Sequence, residues 1–321
     1  MGVKFGLAIE NFTSAEKAPN MSDLVRYATR AEELDFTSLW AWDHLFLGSR
    51  QPFPQLEALT TLAVLAARTR EITLGTGILV LPLRDPALLA KTAATIQDVS
   101  GGRLRLGVAA GWYEREFDAT GTPFKGRGGI FERNLEICQR LWTEDEVSGE
   151  WDDLSFRRVR MLPRPEPRPE ILIGGYVDRV LRRVATLGDG WLTYFYTADA
   201  FTESWAKITR YAEEAGRDPA TLRNVAQLPL CIDSSYERAQ ARSGPWLGAY
   251  FDTPAWSDAT PDSAIVGTPE QCAEQLARHI EAGVQEICLI PHGYEQEQVE
   301  RFAAEVRPLL ADADMLAGAR R

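Results

Sequence analysis

Residues 72–109, ITLGTGILVLPLRDPALLAKTAATIQDVSGGRLRLGVA, hold in one stretch the alternation that decides the fold. Ile72–Thr76 is short, apolar and closed by glycine, which reads as a buried strand. Pro86–Val99 follows as a helix, with Pro at a first helical position and Ser100-Gly101-Gly102 as the stop. Leu104–Ala109 then returns to a strand. Strand, helix and strand in this order demand parallel pairing with the helix as crossover, because parallel neighbours cannot be joined by a tight turn.

The rhythm extends both ways. Before this unit come a strand at Val3–Glu10, a helix capped by Asn20 or Ser22, a strand at Thr37–Trp42 and a helix at Leu56–Ala67. The first helix puts Leu24, Val25, Ala28, Ala31 and Leu34 on one apolar face. After the unit come helices at Ile130–Trp142, Arg179–Leu187, Phe201–Ala215, Pro269–Ala282 and Glu297–Leu310. Strands at Glu170–Ile173, Gly190–Thr193, Val225–Ile232 and Glu286–Ile290 separate them. Eight strands alternating with eight helices predict an α/β fold, a single (β/α)8 TIM barrel over residues 1–310 with a frayed tail at 311–321. A doubly wound sheet competes, but no G-x-G-x-x-G follows the first strand. Two connections exceed the others: Gly111–Gly129 after strand four and Asp233–Thr268 after strand seven. Both follow strand C-termini, where barrels build their sites. The second, carrying Trp246, Tyr250, Phe251 and Trp256, reads as a substrate lid.

Composition narrows the function classes. The 321 residues carry 46 acidic and 35 basic side chains, a formal net charge of −11, which argues against nucleic acid as a partner. No apolar run approaches the ~20 residues a membrane span needs, and the N-terminus lacks a signal-peptide pattern, so a cytoplasmic protein with no membrane partner is expected. Cys138, Cys231, Cys272 and Cys288 form no C-x-x-C pair, and with only three histidines no metal site is expected.

Several residues at the expected strand ends could carry chemistry. His44, in Trp42-Asp43-His44 after strand two, suits proton transfer near neutral pH, with Glu10 at the end of strand one as a second candidate. His279 reads as scaffold and His292, after strand eight, as a weaker pocket candidate. Gly75-Thr76-Gly77-Ile78 closes strand three with two glycines that fit a close approach by a ligand, or a bare turn. Ile173-Gly174-Gly175-Tyr176 opens a helix directly after strand five, where backbone N–H groups favour an anion such as phosphate. Arg115, Lys125 and Arg127 concentrate basic charge in the first long loop. Trp42, Phe195, Trp246 and Trp256 are candidates for lining a substrate pocket.

With these motifs in place, the chain resembles the luciferase-like monooxygenase superfamily, and within it the branch dependent on the deazaflavin coenzyme F420. Leu74–Trp112 is the most specific block, continued by Glu116-Phe117, Gly121-Thr122-Pro123-Phe124 and Arg127. Leu141-Trp142-Thr143, Ile173-Gly174-Gly175, Leu187-Gly188-Asp189-Gly190-Trp191 and Val266-Gly267-Thr268-Pro269-Glu270 follow in register. The resemblance implies a (β/α)8 oxidoreductase using F420, or alternatively FMN, on a small-molecule substrate. It implies a homodimer, and a separate flavin or F420 reductase system as the source of reduced cofactor. His44 matches the histidine near the reactive edge of the ring. Thr76, Gly77 and Ile78 match the segment where many deazaflavin members hold a cis non-proline peptide against the ring. Arg127, Gly174, Gly175 and Tyr176 match positions around the cofactor phosphate, and Gly111 and Trp112 close the cleft. Three positions depart. Ala109 replaces a common glycine, Tyr176 a smaller residue, and Trp112 stands where sugar-phosphate-oxidising members have a catalytic acid.

Hydride transfer between a deazaflavin and a small organic molecule is therefore the expected activity, with FMN-dependent monooxygenation the alternative. Two readings from other classes stay open: a metal-dependent hydrolase using Asp43 and His44 as ligands, and a non-catalytic flavin-storing scaffold.

Overall fold

Asn20, Glu57, Asp85, Thr197 and Thr268 each accept a backbone N–H at the start of a helix, so side chains encoded just before the apolar runs set where helices begin. The computed structural model describes residues 2–13, 18–48, 52–151, 153–249 and 262–311. In chain order it contains β1 (Lys4–Ala8), α1 (Met21–Glu33), β2 (Ser38–Ala41), α2 (Ala58–Ala66), β3 (Thr73–Val80), α3 (Pro86–Ser100) and β4 (Leu104–Ala109). Gly101 ends α3 in the left-handed conformation, at φ 67°. The first long connection holds a short helix, α4 (Glu114–Thr120), before α5 (Arg127–Thr143). An antiparallel hairpin, β5 (Val147–Trp151) with β6 (Leu154–Val159), follows α5 and was not expected from the sequence. Then come β7 (Glu170–Gly174), α6 (Asp178–Leu187), β8 (Gly190–Tyr194), α7 (Ala198–Glu214) and β9 (Arg223–Ile232). The second long connection contains α8 (Tyr236–Ala249) and β10 (Ile265–Gly267). The chain finishes with α9 (Pro269–Glu281), β11 (Glu286–Pro291) and α10 (Gln296–Arg301), which runs on through a π-helical turn at Phe302–Val306.

Eight parallel strands close a TIM barrel in the order β1-β2-β3-β4-β7-β8-β9-β11, with β11 pairing back to β1. Outward residues such as Leu7, Leu39, Leu74 and Leu106 meet the helices in the main core. Inward residues alternate with them. Trp40 fills the interior against β3 because Gly75 has no side chain: a Cβ there would lie 2.4 Å from the Trp40 ring. Below Trp40, Arg105 of β4 reaches across the barrel to Glu286 of β11, 2.7 Å away, and also pairs with Glu170 of β7. Glu286 accepts from Ser38 at 2.5 Å, and Ser38 from Trp40 Nε1 at 2.8 Å. The N-terminal end is thereby plugged by charge. No helix among the described residues is long and apolar enough to cross a membrane.

Removing one partner of such a buried pair strands the other. Arg105→Met is expected to cost about 3 kcal/mol, seen as a thermal midpoint lower by several degrees. An unchanged midpoint would show that strand pairing alone holds this end.

Candidate active site at the mouth of the barrel

The C-terminal ends of the strands converge on the opposite, open end. Asn11, just beyond β1, grips the end of β2: its Oδ1 accepts from Trp42 N at 2.8 Å, and its Nδ2 donates to Trp42 O at 2.7 Å. This fixes Trp42-Asp43-His44 as it leaves the barrel. Asp43 turns inward. Its buried carboxylate accepts from Val80 N at 2.9 Å and from Arg84 at 2.5 Å, and Arg84 also pairs with Glu57 at 2.9 Å. Burial pushes the Asp43 carboxyl up, and the Arg84 guanidinium opposes that shift. His44 turns the other way. Its Nδ1 lies 3.0 Å from the Glu116 carboxylate of α4, and the Trp112 ring meets its ring edge-to-face at 5.7 Å. With Asp43 committed to Val80 and Arg84, Asp43 and His44 do not converge as a ligand pair.

Across the mouth, the end of β7 and the start of α6 form a cationic corner. Gly175 has φ 131°, which only glycine adopts readily, and Gly174 leaves room for Ile78, whose Cδ1 would be 1.9 Å from an added Cβ. The first turn of α6 has no side-chain cap at its N-cap residue, Val177. Arg127 and Arg179 face this region without an ion-pair partner among the described residues. Burial lowers the Arg127 guanidinium and the charge on Arg179 lowers it further. Arg127 donates to Gly111 O at 2.9 Å and packs over Phe124.

Between these two sides lies an aromatic lining. Phe12, Trp42, Phe195 and Tyr294 are buried in one cluster, and Ile78, Trp112, Tyr113, Tyr194 and Trp246 pack on it half-buried. Trp246 is carried in by α8 and lies 5.2 Å from His292. α8 is tethered at its root, where Asp233 accepts from Arg238 at 2.9 Å and from Arg242 at 3.2 Å, and Arg242 reaches Glu295 at 2.8 Å.

The structure thus brings His44, Gly77, Ile78, Gly111, Trp112, Arg127, Gly174 and Gly175 to one end of the barrel, and the Gly77–Ile78 peptide is cis. Other candidates have their polar atoms committed. The Thr76 hydroxyl donates to Gly107 O at 2.9 Å, the Tyr176 hydroxyl to Tyr194 O at 2.7 Å, and Trp42 Nε1 to Tyr294 at 2.8 Å. The Tyr176 and Thr76 hydroxyls therefore have no proton left to donate to an anion. Glu10 is half-buried and its charge acts on Tyr27 of α1. Phe195 is buried with φ 56°. Trp256 and part of the expected lid lie outside the described residues. His279 bonds Gln275 O and Tyr196 O, a scaffold role. Sequence reasoning gave no role to Glu116, Arg84, Arg179 or Gln227, whose Nε2 donates to Gly77 O at 3.4 Å. Glu116 lies inside the matched motif Glu116-Phe117, so a signal for it existed.

A family model described as luciferase-like monooxygenase matches residues 3–286. The chain is 24% identical to an F420-dependent glucose-6-phosphate dehydrogenase of Amycolatopsis mediterranei, over 90% of this chain and 94% of that protein. It is 28% identical to an FMNH(2)-dependent dimethylsulfone monooxygenase of Pseudomonas putida, over 81% and 80%. Its fold superposes on an F420-dependent secondary alcohol dehydrogenase, solved with an F420–acetone adduct, at TM-score 0.82 and 20% identity, covering 97% of this chain and 99% of that one.

The Asp233 tether sets a pH dependence for α8. The Ser234 N–H and Arg238 hold the Asp233 carboxyl well below the usual carboxylate range. A lowered carboxyl stabilises the fold fully above that ordinary range and loses its contribution as pH falls through the lowered value. Hydrogen-exchange protection across α8, corrected for intrinsic rates, is expected to be high at neutral pH and to fall in strong acid. Asp233→Asn should show the low protection at neutral pH already. Equal protection in both proteins there would mean that Trp246 and Leu247 packing holds the helix.

Proposed function

This chain belongs to the luciferase-like monooxygenase family, which makes it a flavin- or deazaflavin-dependent oxidoreductase, and we propose that it moves hydride between coenzyme F420 and a small organic substrate. The observation that carries the reading is the cationic corner facing His44. Arg127 and Arg179, neither in an ion pair among the described residues, the backbone of Gly174 and Gly175 and the uncapped start of α6 fit a phosphate-bearing cofactor. The Asp178 carboxylate in that first turn is taken up by Tyr211 and Arg182, and Glu114 acts on Arg127 only from beyond ion-pair distance. FMN also carries a phosphate, so the choice of F420 rests on the relatives named F420-dependent that span most of this chain.

The chemistry such a cofactor supplies is hydride transfer to or from carbon, with little reaction with dioxygen. The chain's own residues do the rest. Arg127 and the backbone of Gly174 and Gly175 would hold the phosphate, and Gly77 and Ile78 would support the ring. The aromatic lining excludes water from the reacting atoms. His44 moves the proton: where a substrate is oxidised at C–O, hydride leaves carbon and the hydroxyl proton passes to His44 Nε2. Trp112 packs on His44 where a sugar-phosphate dehydrogenase would need an acid, which favours a substrate other than a sugar phosphate. A homodimer and a separate reductase belong to the same reading.

Titrating the apoprotein with F420 and with FMN tests it. Tight F420 binding and weak FMN binding are expected; the reverse would make the protein an FMN-dependent monooxygenase, and binding of neither would overturn the cofactor reading. Arg127→Gln should weaken cofactor binding about 10- to 100-fold. His44→Ala should lower turnover by at least about 100-fold with cofactor affinity little changed, and retained turnover would overturn its role.

A further inference from the structure

Glu116 is the most completely engaged carboxylate beside the mouth, and the resemblance gives it no role. Its side chain is 1% exposed, on the first turns of α4. One oxygen accepts the backbone N–H groups of Leu45 and Phe46, the two residues that follow His44. The other lies 3.0 Å from His44 Nδ1. No lysine or arginine pairs with it among the described residues. The Asp43 carboxylate, beside His44 in sequence, is turned away to Val80 and Arg84 and does not compete for Nδ1.

We infer that Glu116 is the positioning residue for His44: it takes the Nδ1 proton in a hydrogen bond and leaves Nε2 as the nitrogen that exchanges a proton with substrate. An ionised carboxylate can only accept, so Nδ1 must be the donor, which selects one neutral tautomer. The two backbone bonds anchor the same carboxylate to the loop carrying His44, so carboxylate and imidazole move as one unit. His44 Nε2 has no hydrogen-bond partner among the described residues, and Trp112 against the ring edge limits its rotation. Glu116 comes from the connection after β4 and His44 from that after β2, so the unit forms only when the barrel closes.

The inference rests on the reading of His44 as the proton-transfer group, and the test separates the two. The full chain, without cofactor, is labelled with 15N-histidine, and His44 is assigned among the three histidines with His44→Asn. In the neutral form, two-bond 1H–15N correlations are expected to show the proton on Nδ1 and Nε2 bare. In Glu116→Gln the amide can keep its oxygen on Leu45 and Phe46 and turn its NH2 toward Nδ1, so the proton should move to Nε2. Turnover in this variant should fall at least about 100-fold in kcat with KM little changed, as for other amide replacements of a histidine-orienting carboxylate. A wild-type proton on Nε2 overturns the inference, as does an unchanged tautomer in a folded Glu116→Gln. The wild-type spectrum decides the matter even if that variant does not fold. The expected tautomers together with an active His44→Ala would leave Glu116 positioning His44 and remove the proton-transfer reading alone.

Discussion

Inside the closed end of the barrel, one guanidinium joins strands that face each other across the axis. Arg105 on β4 meets Glu286 on β11, four places away around the ring, and Glu170 on the neighbouring β7. Its side chain is 14% exposed and that of Glu286 is 7% exposed, so both charges are largely withdrawn from water. Such a withdrawal costs several kcal/mol per ion, recovered only when geometry and extra hydrogen bonds are good. Ser38 and Trp40 supply those bonds. The arrangement ties β2, β4, β7 and β11 together through side chains as well as through the strand ladder, and it fixes how the interior above it can be filled.

Above that plug, Trp40 demands glycine on the facing strand, and Gly75 gives it. The next inward layer places Leu172, Leu192, Val225 and Cys288 in one cluster. Over them the Gln227 amide supports the Gly77 carbonyl, and Ile78 leans onto the space left by Gly174. Each layer limits the size of the next. The Gly77–Ile78 segment therefore has its position set by the layers beneath it, and the mouth inherits its shape from the floor.

Charge is distributed to match. The chain carries a formal net charge of −11, yet Arg127 and Arg179 stand together at one side of the mouth with no ion pair among the described residues, Glu114 acting on Arg127 only from a greater distance. An acidic protein repels anions at long range, so two neighbouring cations outside any ion pair set this corner apart from the rest of the surface. On the far side, Arg242 is balanced by Asp233 and Glu295 and serves to hold α8, whose Trp246 joins the aromatic lining. Arginines of the same chemistry thus sit in different settings, Arg127 on the backbone carbonyls of Gly111 and Phe124 and Arg242 in ion pairs that hold the fold.

The sequence by itself determined the order and number of barrel strands, because apolar periodicity and caps such as Asn20, Asp85 and Gly101 are local signals that tertiary packing did not override. It also placed His44 and the Gly174-Gly175 turn at strand ends, since position after a parallel strand follows from the alternation. It did not reveal the β5–β6 hairpin, whose strands VSGEW and LSFRRV mix charged residues with apolar ones that find their place only by packing on the main core, as Val147, Trp151 and Phe156 do. It hid α8 as well, because Pro245 and Gly244 read as breakers, yet the helix is held by ion pairs to Asp233 and Glu295. Which polar atoms are free was decided by the tertiary structure alone. Thr76 and Tyr176 look available in sequence and are spent on Gly107 and Tyr194, while Glu116 reaches His44 from 72 residues away. Local pattern fixes where the backbone goes, but a side chain's partner is set by closure of the barrel, which brings together residues that no short-range signal connects.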